Sequence, residues 1–279
     1  MRTLVIADAS RRSWADPASH RPVALTVWEP SGADGPLPLT LLSHGTGGAV
    51  AQLAWLAEAL AAAGHLVVGV DHHGNTSAED YLPEGFALPW ERPRDLSCAL
   101  DWALGALPVD PARVTAAGFS LGGYSCAALA GARLDPRAVA AVLRGDAPLP
   151  PLPEMPDLLE RLAARHDGDA LAALAAASAV DVADARVTRV ALLAPSIGAL
   201  VDEESLRRAE SPALVLWGDA DAEAEPGENA RRYVEAMPHA EGWSMGRAVA
   251  HYDWIAQEEA GERLRANALP AIVGFLTGR

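Results

Sequence analysis

The stretch RVTAAGFSLGGYS, Arg113 to Ser125, decides how the chain is read. An apolar run reaches Gly118. Phe119, a single Ser120 and Leu121 follow, and then two glycines open a segment rich in alanine and leucine. A strand that feeds directly into a helix can present one side chain at a sharp turn. Small residues two before and two after that side chain let the backbone fold tightly. Gly118-Phe119-Ser120-Leu121-Gly122 meets this G-x-S-x-G pattern, and a strand before it and a helix after it supply the context it needs. Without that context the pattern would read as a plain tight turn with Ser120 as a helix cap.

Outward from this turn, the pattern alternates. Val23, Leu25 and Val27 mark a strand with one wet face. LPLTLLSHG (37–45) and HLVVGVD (65–71) are nearly continuous apolar runs, as in strands covered on both faces of a parallel sheet. Between them, residues 50–64 carry Leu53, Leu56 and Leu60 at helical spacing and stop at Gly64. Residues 92–107 read as a helix, 113–119 as a strand and 121–132 as a helix. Strands follow at 189–195, 212–218 and 242–246, with helices around 230–236 and at the C-terminus. The prediction is a single α/β domain over 1–279, with a mainly parallel central sheet flanked by helices. Residues 134–186 break the rhythm: proline-rich APLPPLPEMP leads into leucine- and alanine-rich helices without a strand. This segment reads as a helical insertion packed on the sheet and a candidate lid, with Leu158, Leu159 and Leu162 on its apolar face.

Composition narrows the chemistry. Half of the residues are apolar, enough for a sizeable core, and the net charge of −15 argues against nucleic-acid or anionic-membrane partners. All 22 basic residues are arginine, so a lysine Schiff base and a P-loop lysine are both ruled out. The apolar run before Asp8 is too short for a signal peptide, and no stretch reaches the roughly 20 residues of a membrane helix. A soluble cytoplasmic protein is expected. Cys98 and Cys126 read as two buried thiols.

A serine hydroxyl needs a base beside it, usually a histidine oriented by a carboxylate. Sites in parallel α/β sheets lie at the carboxyl ends of strands. His65 and His239 precede strands and belong at the other edge, as does His20; His166 falls in the insertion. His44, His72, His73 and His251 follow strands. His44, before GTGG, suits a turn, whereas His251 in GRAVAHYDW follows the last strand and can reach back over Ser120. His72 and His73 beside Asp71 could raise a metal site, but adjacent side chains at a strand end diverge and no third ligand cluster is evident, so no metal is expected. For the carboxylate, Asp219 and Asp221 both follow the strand at 212–218. They are two residues apart, and the pattern alone does not choose between them. The order serine, aspartate, histidine is the one expected of the α/β-hydrolase arrangement. An oxyanion hole would draw on the Leu121 N–H at the helix start and on an N–H from HGTGG (44–48), Thr46 first. GTGG does not read as a dinucleotide loop, because Val50 stands at the third glycine position.

Taken together, RPVALTVWEP, LLSHGTGG, GVDHHGNT, WERPRDLSCALDW, GFSLGGYS, LWGDADAEAEP and AHYDW resemble bacterial dienelactone-hydrolase-like α/β-hydrolases. These are relatives of platelet-activating-factor acetylhydrolases and polyester-degrading lipases. The resemblance implies Ser120 as nucleophile, Asp221 as acid, His251 as base, and Thr46 with Leu121 as oxyanion donors. Authentic dienelactone hydrolases use a cysteine nucleophile, so the resemblance does not carry over dienelactone as substrate. The polyester-degrading relatives usually have an aromatic at the position of Thr46. The expectation is a serine hydrolase acting on a small carboxylic ester, thioester or lactone, with no cofactor. An acyltransferase or amidase with the same three residues is the alternative, and a catalytically silent ligand-binding protein on this fold a more distant one.

Overall fold

The computed structural model describes residues 1–32, 35–149 and 152–278. Pro150 and Pro151 of the proline-rich stretch lie outside the described residues. The first half of the chain runs β1 (Arg2–Arg12), β2 (His20–Trp28), β3 (Leu37–Ser43), α1 (Ala54–Ala62), β4 (Leu66–Asp71), α2 (Pro83–Ala87), α3 (Glu91–Ala106), β5 (Val109–Phe119) and α4 (Leu121–Leu129). Then come α5 (Pro136–Leu143), α6 (Leu158–Arg165), α7 (Gly168–Ala177), β6 (Val187–Leu193), α8 (Glu203–Arg207), β7 (Ala213–Trp217), α9 (Ala230–Ala236), β8 (Ala240–Ser244) and α10 (Glu259–Thr277).

The strands form one eight-stranded sheet in the order β1-β2-β4-β3-β5-β6-β7-β8. β1 and β2 enter antiparallel, and the β4-β3-β5-β6-β7-β8 pairings are parallel. The apolar runs expected to be covered on both faces are so covered. Along β4, Leu66, Val68 and Val70 pack into one core while Val67 packs into the other. In β7, Val215 and Trp217 face one way and Leu214 and Leu216 the other, the period-two alternation of a strand between two layers. Leu53, Leu56 and Leu60 pack with Leu264, Ile272 and Leu276 of α10 on one face. Leu96 and Leu100 of α3, Tyr124 of α4 and Tyr233 of α9 cover the other.

The structure adds an element the sequence reading omits. The N-terminal residues form β1, an edge strand in which only Leu4 and Ile6 lean on the core while Val5 is exposed. Among the described residues of 134–186 are α5, α6 and α7, with no strand between them. α5 starts at Asp135, whose carboxylate accepts the Arg137 N–H, with Pro136 in the first helical position. Cys126 is buried, whereas Cys98 is only partly so, and both are free thiols. Burial pushes the Cys98 thiol up to about 11 and that of Cys126 further still, so neither supplies a thiolate near neutral pH.

Candidate active site

The strands β3, β4, β5, β6 and β7 run parallel, so the residues that follow each of them gather at one sheet edge. Ser120 stands alone between β5 and α4 with φ 55° and ψ −120°, a conformation that costs a non-glycine residue roughly 1–3 kcal/mol. Its backbone is held from both sides: the Ser120 N–H donates to the Leu193 carbonyl at 2.8 Å, and its own carbonyl accepts the Ser196 N–H at 3.2 Å. The flanking glycines are a steric requirement. A Cβ on Gly118 would lie 2.2 Å from the Gly122 carbonyl oxygen, and one on Gly122 2.0 Å from that of Ser43.

The Ser120 hydroxyl lies 2.9 Å from His251 Nε2, and His251 Nδ1 lies 2.7 Å from Asp221 Oδ2. All three side chains are buried. An ionised carboxylate can only accept, so it holds the proton on Nδ1 and leaves Nε2 free to accept from the serine. The other Asp221 oxygen accepts the N–H groups of Glu223 and Ala224 at 3.1 and 2.7 Å, which fixes the carboxylate. Asp219 does not join this chain. It is exposed, and its nearest charged partner is Arg231 at 4.0 Å. The Phe119 ring lies 4.8 Å from the His251 ring, centroid to centroid, and Tyr252 meets it edge-on at 5.3 Å.

Thr46 and Leu121 line the same cavity as Ser120 and His251. Among the described residues, neither backbone N–H has a protein acceptor. The Leu121 N–H also stands at the first turn of α4, where orphan donors and the helix dipole favour negative charge. The cavity is about 540 Å³. Phe86, Trp90, Val139, Leu149, Leu152 and Leu158 give it an apolar wall, four of them from the helical segment after α4. Glu154, Glu223 and Tyr252 lie along it on the polar side.

His44, His72, His73 and His166 have other occupations. His44 Nδ1 bonds the Gly45 carbonyl and its Nε2 accepts the His72 N–H. His72 bridges Ser43 and Asp95, and His73 bridges Ser13 and Glu79. Among the described residues no three His, Cys, Asp or Glu side chains are grouped to hold a metal ion. His166 of the insertion pairs with Glu84 at 2.9 Å. Burial, reinforced by the Arg92 charge, keeps His44 well below the ordinary imidazole range and brings His72 down to about 3. Both rings are therefore neutral in the folded protein.

Beneath the site lies a polar layer that the sequence reading passed over. Asp95 of α3 accepts from Arg11, Arg21 and His72 at 2.6–3.0 Å. Burial alone would raise its carboxyl, but the Arg21 and Arg11 charges and the His72 hydrogen bond bring it well below the usual carboxylate range. Arg92 of the same helix is almost fully buried beside the loop after β3. The signal was present in WERPRD: an arginine and an aspartate, three residues apart, in a helix that must pack on the sheet. That segment yielded a helical period and a share of the family resemblance, but no role for its charges.

No protein-family model matches the chain, and no curated protein sequence matches it. Solved structures do. A ferulic acid esterase from Streptomyces cinnamoneus superposes with a TM-score of 0.62 at 20% identity, covering 99% of this chain and 89% of that one. Est1E from Butyrivibrio proteoclasticus superposes with a TM-score of 0.54 at 11% identity, covering 97% and 98%. At such identities the likeness concerns architecture, and with the sheet order and the turn at Ser120 it gives the conclusion that this chain has the α/β-hydrolase fold.

Proposed function

We propose that the protein is a serine hydrolase that cleaves a small carboxylic ester, thioester or lactone through an acyl-enzyme on Ser120. The observation that carries this reading is the continuous hydrogen-bonded chain from Ser120 Oγ through His251 to Asp221 at the wall of the cavity. Ser120 Oγ attacks the substrate carbonyl while His251 Nε2 takes its proton. The imidazolium that forms is stabilised by Asp221, and the Thr46 and Leu121 N–H groups receive the negative oxygen of the tetrahedral intermediate. Collapse breaks the bond to the leaving alcohol or thiol, which takes the proton from His251. Water then attacks the acyl-enzyme by the same route, returning a carboxylic acid and free Ser120.

The wall built by Val139, Leu149, Leu152 and Leu158 suits an apolar acyl or alcohol group, and we assign the helical segment 134–186 the role of cover over it. The name of the Streptomyces neighbour, a ferulic acid esterase, is consistent with an ester as substrate. The resemblance to dienelactone-hydrolase-like enzymes fits this reading through the members that use serine, and a cytoplasmic location goes with it. A fluorophosphonate should label Ser120 covalently, and Ser120→Ala should lower kcat on a chromogenic ester by about 10³-fold or more. Turnover at the wild-type rate in Ser120→Ala would overturn the serine mechanism.

A further inference from the structure

We infer that Arg92 is a positioning residue for the oxyanion-binding loop, an inference that rests on the serine mechanism proposed above. The loop His44–Gly48 carries the Thr46 N–H, and a donor of this kind works only if it is held before the charge develops. Arg92 enters from α3 and is almost fully buried. One guanidinium nitrogen, Nη2, donates to the His44 carbonyl, with Ser43 Oγ at the long distance of 3.4 Å. The other, Nη1, donates to Asn75 Oδ1 at 2.7 Å. That same amide oxygen accepts the Gly47 N–H at 3.0 Å.

The consequence is geometric. His44 and Gly47 bracket the two residues Gly45 and Thr46, and one planar cation fixes both brackets, one directly and one through Asn75. The loop is also pinned farther along, where the Tyr81 hydroxyl donates to the Gly47 carbonyl at 2.6 Å and the Ser77 N–H to that of Gly48 at 2.9 Å. Among the described residues, Arg92 is the group that donates a hydrogen bond to the His44 carbonyl. The nucleophile helix abuts the same backbone, since a Cβ on Gly122 would come 2.7 Å from the His44 carbonyl oxygen. The carbonyl gripped by Arg92 thus adjoins the first turn of α4, which approaches the preceding Ser43 carbonyl more closely still. A guanidinium suits this place because its rigid planar fork is pre-organised to meet two acceptors at once, whereas an ammonium is a point charge on a flexible stem.

The test uses the full chain with a short chromogenic ester, and kcat is counted per site titrated by fluorophosphonate, so that unfolded protein does not enter. Arg92→Ala should lower kcat by about 10²-fold, comparable with removal of one oxyanion donor, with KM within about twofold. Added guanidinium at sub-denaturing concentration should restore part of the loss, and urea at the same concentration should restore none. Should Arg92→Ala not fold, Arg92→Lys and Asn75→Ala carry the test. Each should lower kcat per titrated site by about tenfold, again with KM little changed. Unchanged kcat per titrated site in the folded variants would overturn the inference while leaving the serine reading intact. A loss that appears equally in KM, and that guanidinium does not relieve, would also overturn it. A wild-type protein that takes up no fluorophosphonate would overturn the serine reading and this inference with it.

Discussion

Asp219 and Asp221 show how much a single residue's role depends on local backbone path. In an extended chain the two would point the same way, and among sequence signals only the family resemblance favoured Asp221. The chain after β7 is not extended. Gly218 passes so close to Val249 that a Cβ there would lie 2.1 Å from its carbonyl oxygen, and the Asp219 and Ala220 N–H groups bond the Gly246 and Val249 carbonyls. This double tie turns Asp221 inward under His251 and leaves Asp219 outside. Asp221→Asn should therefore lower kcat by about 10⁴-fold, through loss of the tautomer that lets Nε2 accept from serine. Asp219→Asn should stay within about threefold of wild type. Steady-state kinetics on one chromogenic ester decides, and the opposite ranking would move the acid to Asp219. Ser120 and His251 were legible because their signals are local: a glycine-flanked turn, and a histidine just after the last strand. Arg92 and Asn75 were not, because they bond each other across 17 residues and backbone groups 28 and 48 residues away, which no short motif encodes.

At the scale of elements, hydrophobic period made the covered strands plain and the exposed one obscure. β1 lies at a sheet edge, includes three arginines and has one short apolar run, Leu4 to Ala7, of which Leu4 and Ile6 lean on the core, so that run is too short to read as a covered strand. The three helices between α4 and β6 were legible as helices, but their orientation was not. Leu158 and Leu162 turn inward on α6, Leu159 only partly so, and of these three only Leu158 reaches the cavity. The cavity wall is completed instead by Leu149 and Leu152, half-buried residues of the connection before α6. A cover and a scaffold can therefore be separated. Leu149→Ala and Leu152→Ala should shift preference toward longer acyl esters with little change in melting temperature, because they enlarge the cavity without opening a closed core. Leu162→Ala should cost about 2–5 kcal/mol of stability and leave the chain-length profile alone. An unchanged profile in both Leu149→Ala and Leu152→Ala would place selectivity in the loops around Thr46 and His72.

Across the whole molecule, the site is joined to the antiparallel flank by buried charge. Asp95 links Arg11 of β1, Arg21 of β2 and His72 beyond β4, and the Trp14 ring lies over the Arg21 guanidinium at 4.0 Å. Such a network stabilises little against an apolar core of the same shape, but losing one member strands the others, at about 3–5 kcal/mol. It also makes folding sensitive to acid. His44 and His72 are neutral when folded, His72 down to about pH 3, whereas unfolded imidazoles take a proton near 6.5. Below pH 6.5 the unfolded chain thus binds up to two more protons at these positions than the folded one. Stability from this source is complete above pH 6.5 and falls as the pH drops toward the folded values, by about 1.4 kcal/mol per pH unit for each histidine. Asp95 acts with the same sign but later. Its folded value lies below that of an ordinary carboxyl, so its contribution is lost only as the pH falls below about 4. Urea midpoints should be steady between pH 7 and 8 and decline between pH 6 and 5, with a slope that corresponds to uptake of about two protons on unfolding. Burial raises the Asp71 carboxyl, which acts with the opposite sign, so a decline in this window belongs to the imidazoles. A midpoint constant from pH 7 to 5 would mean that His44 and His72 take up protons inside the folded protein, and that the polar layer under the site is open to water.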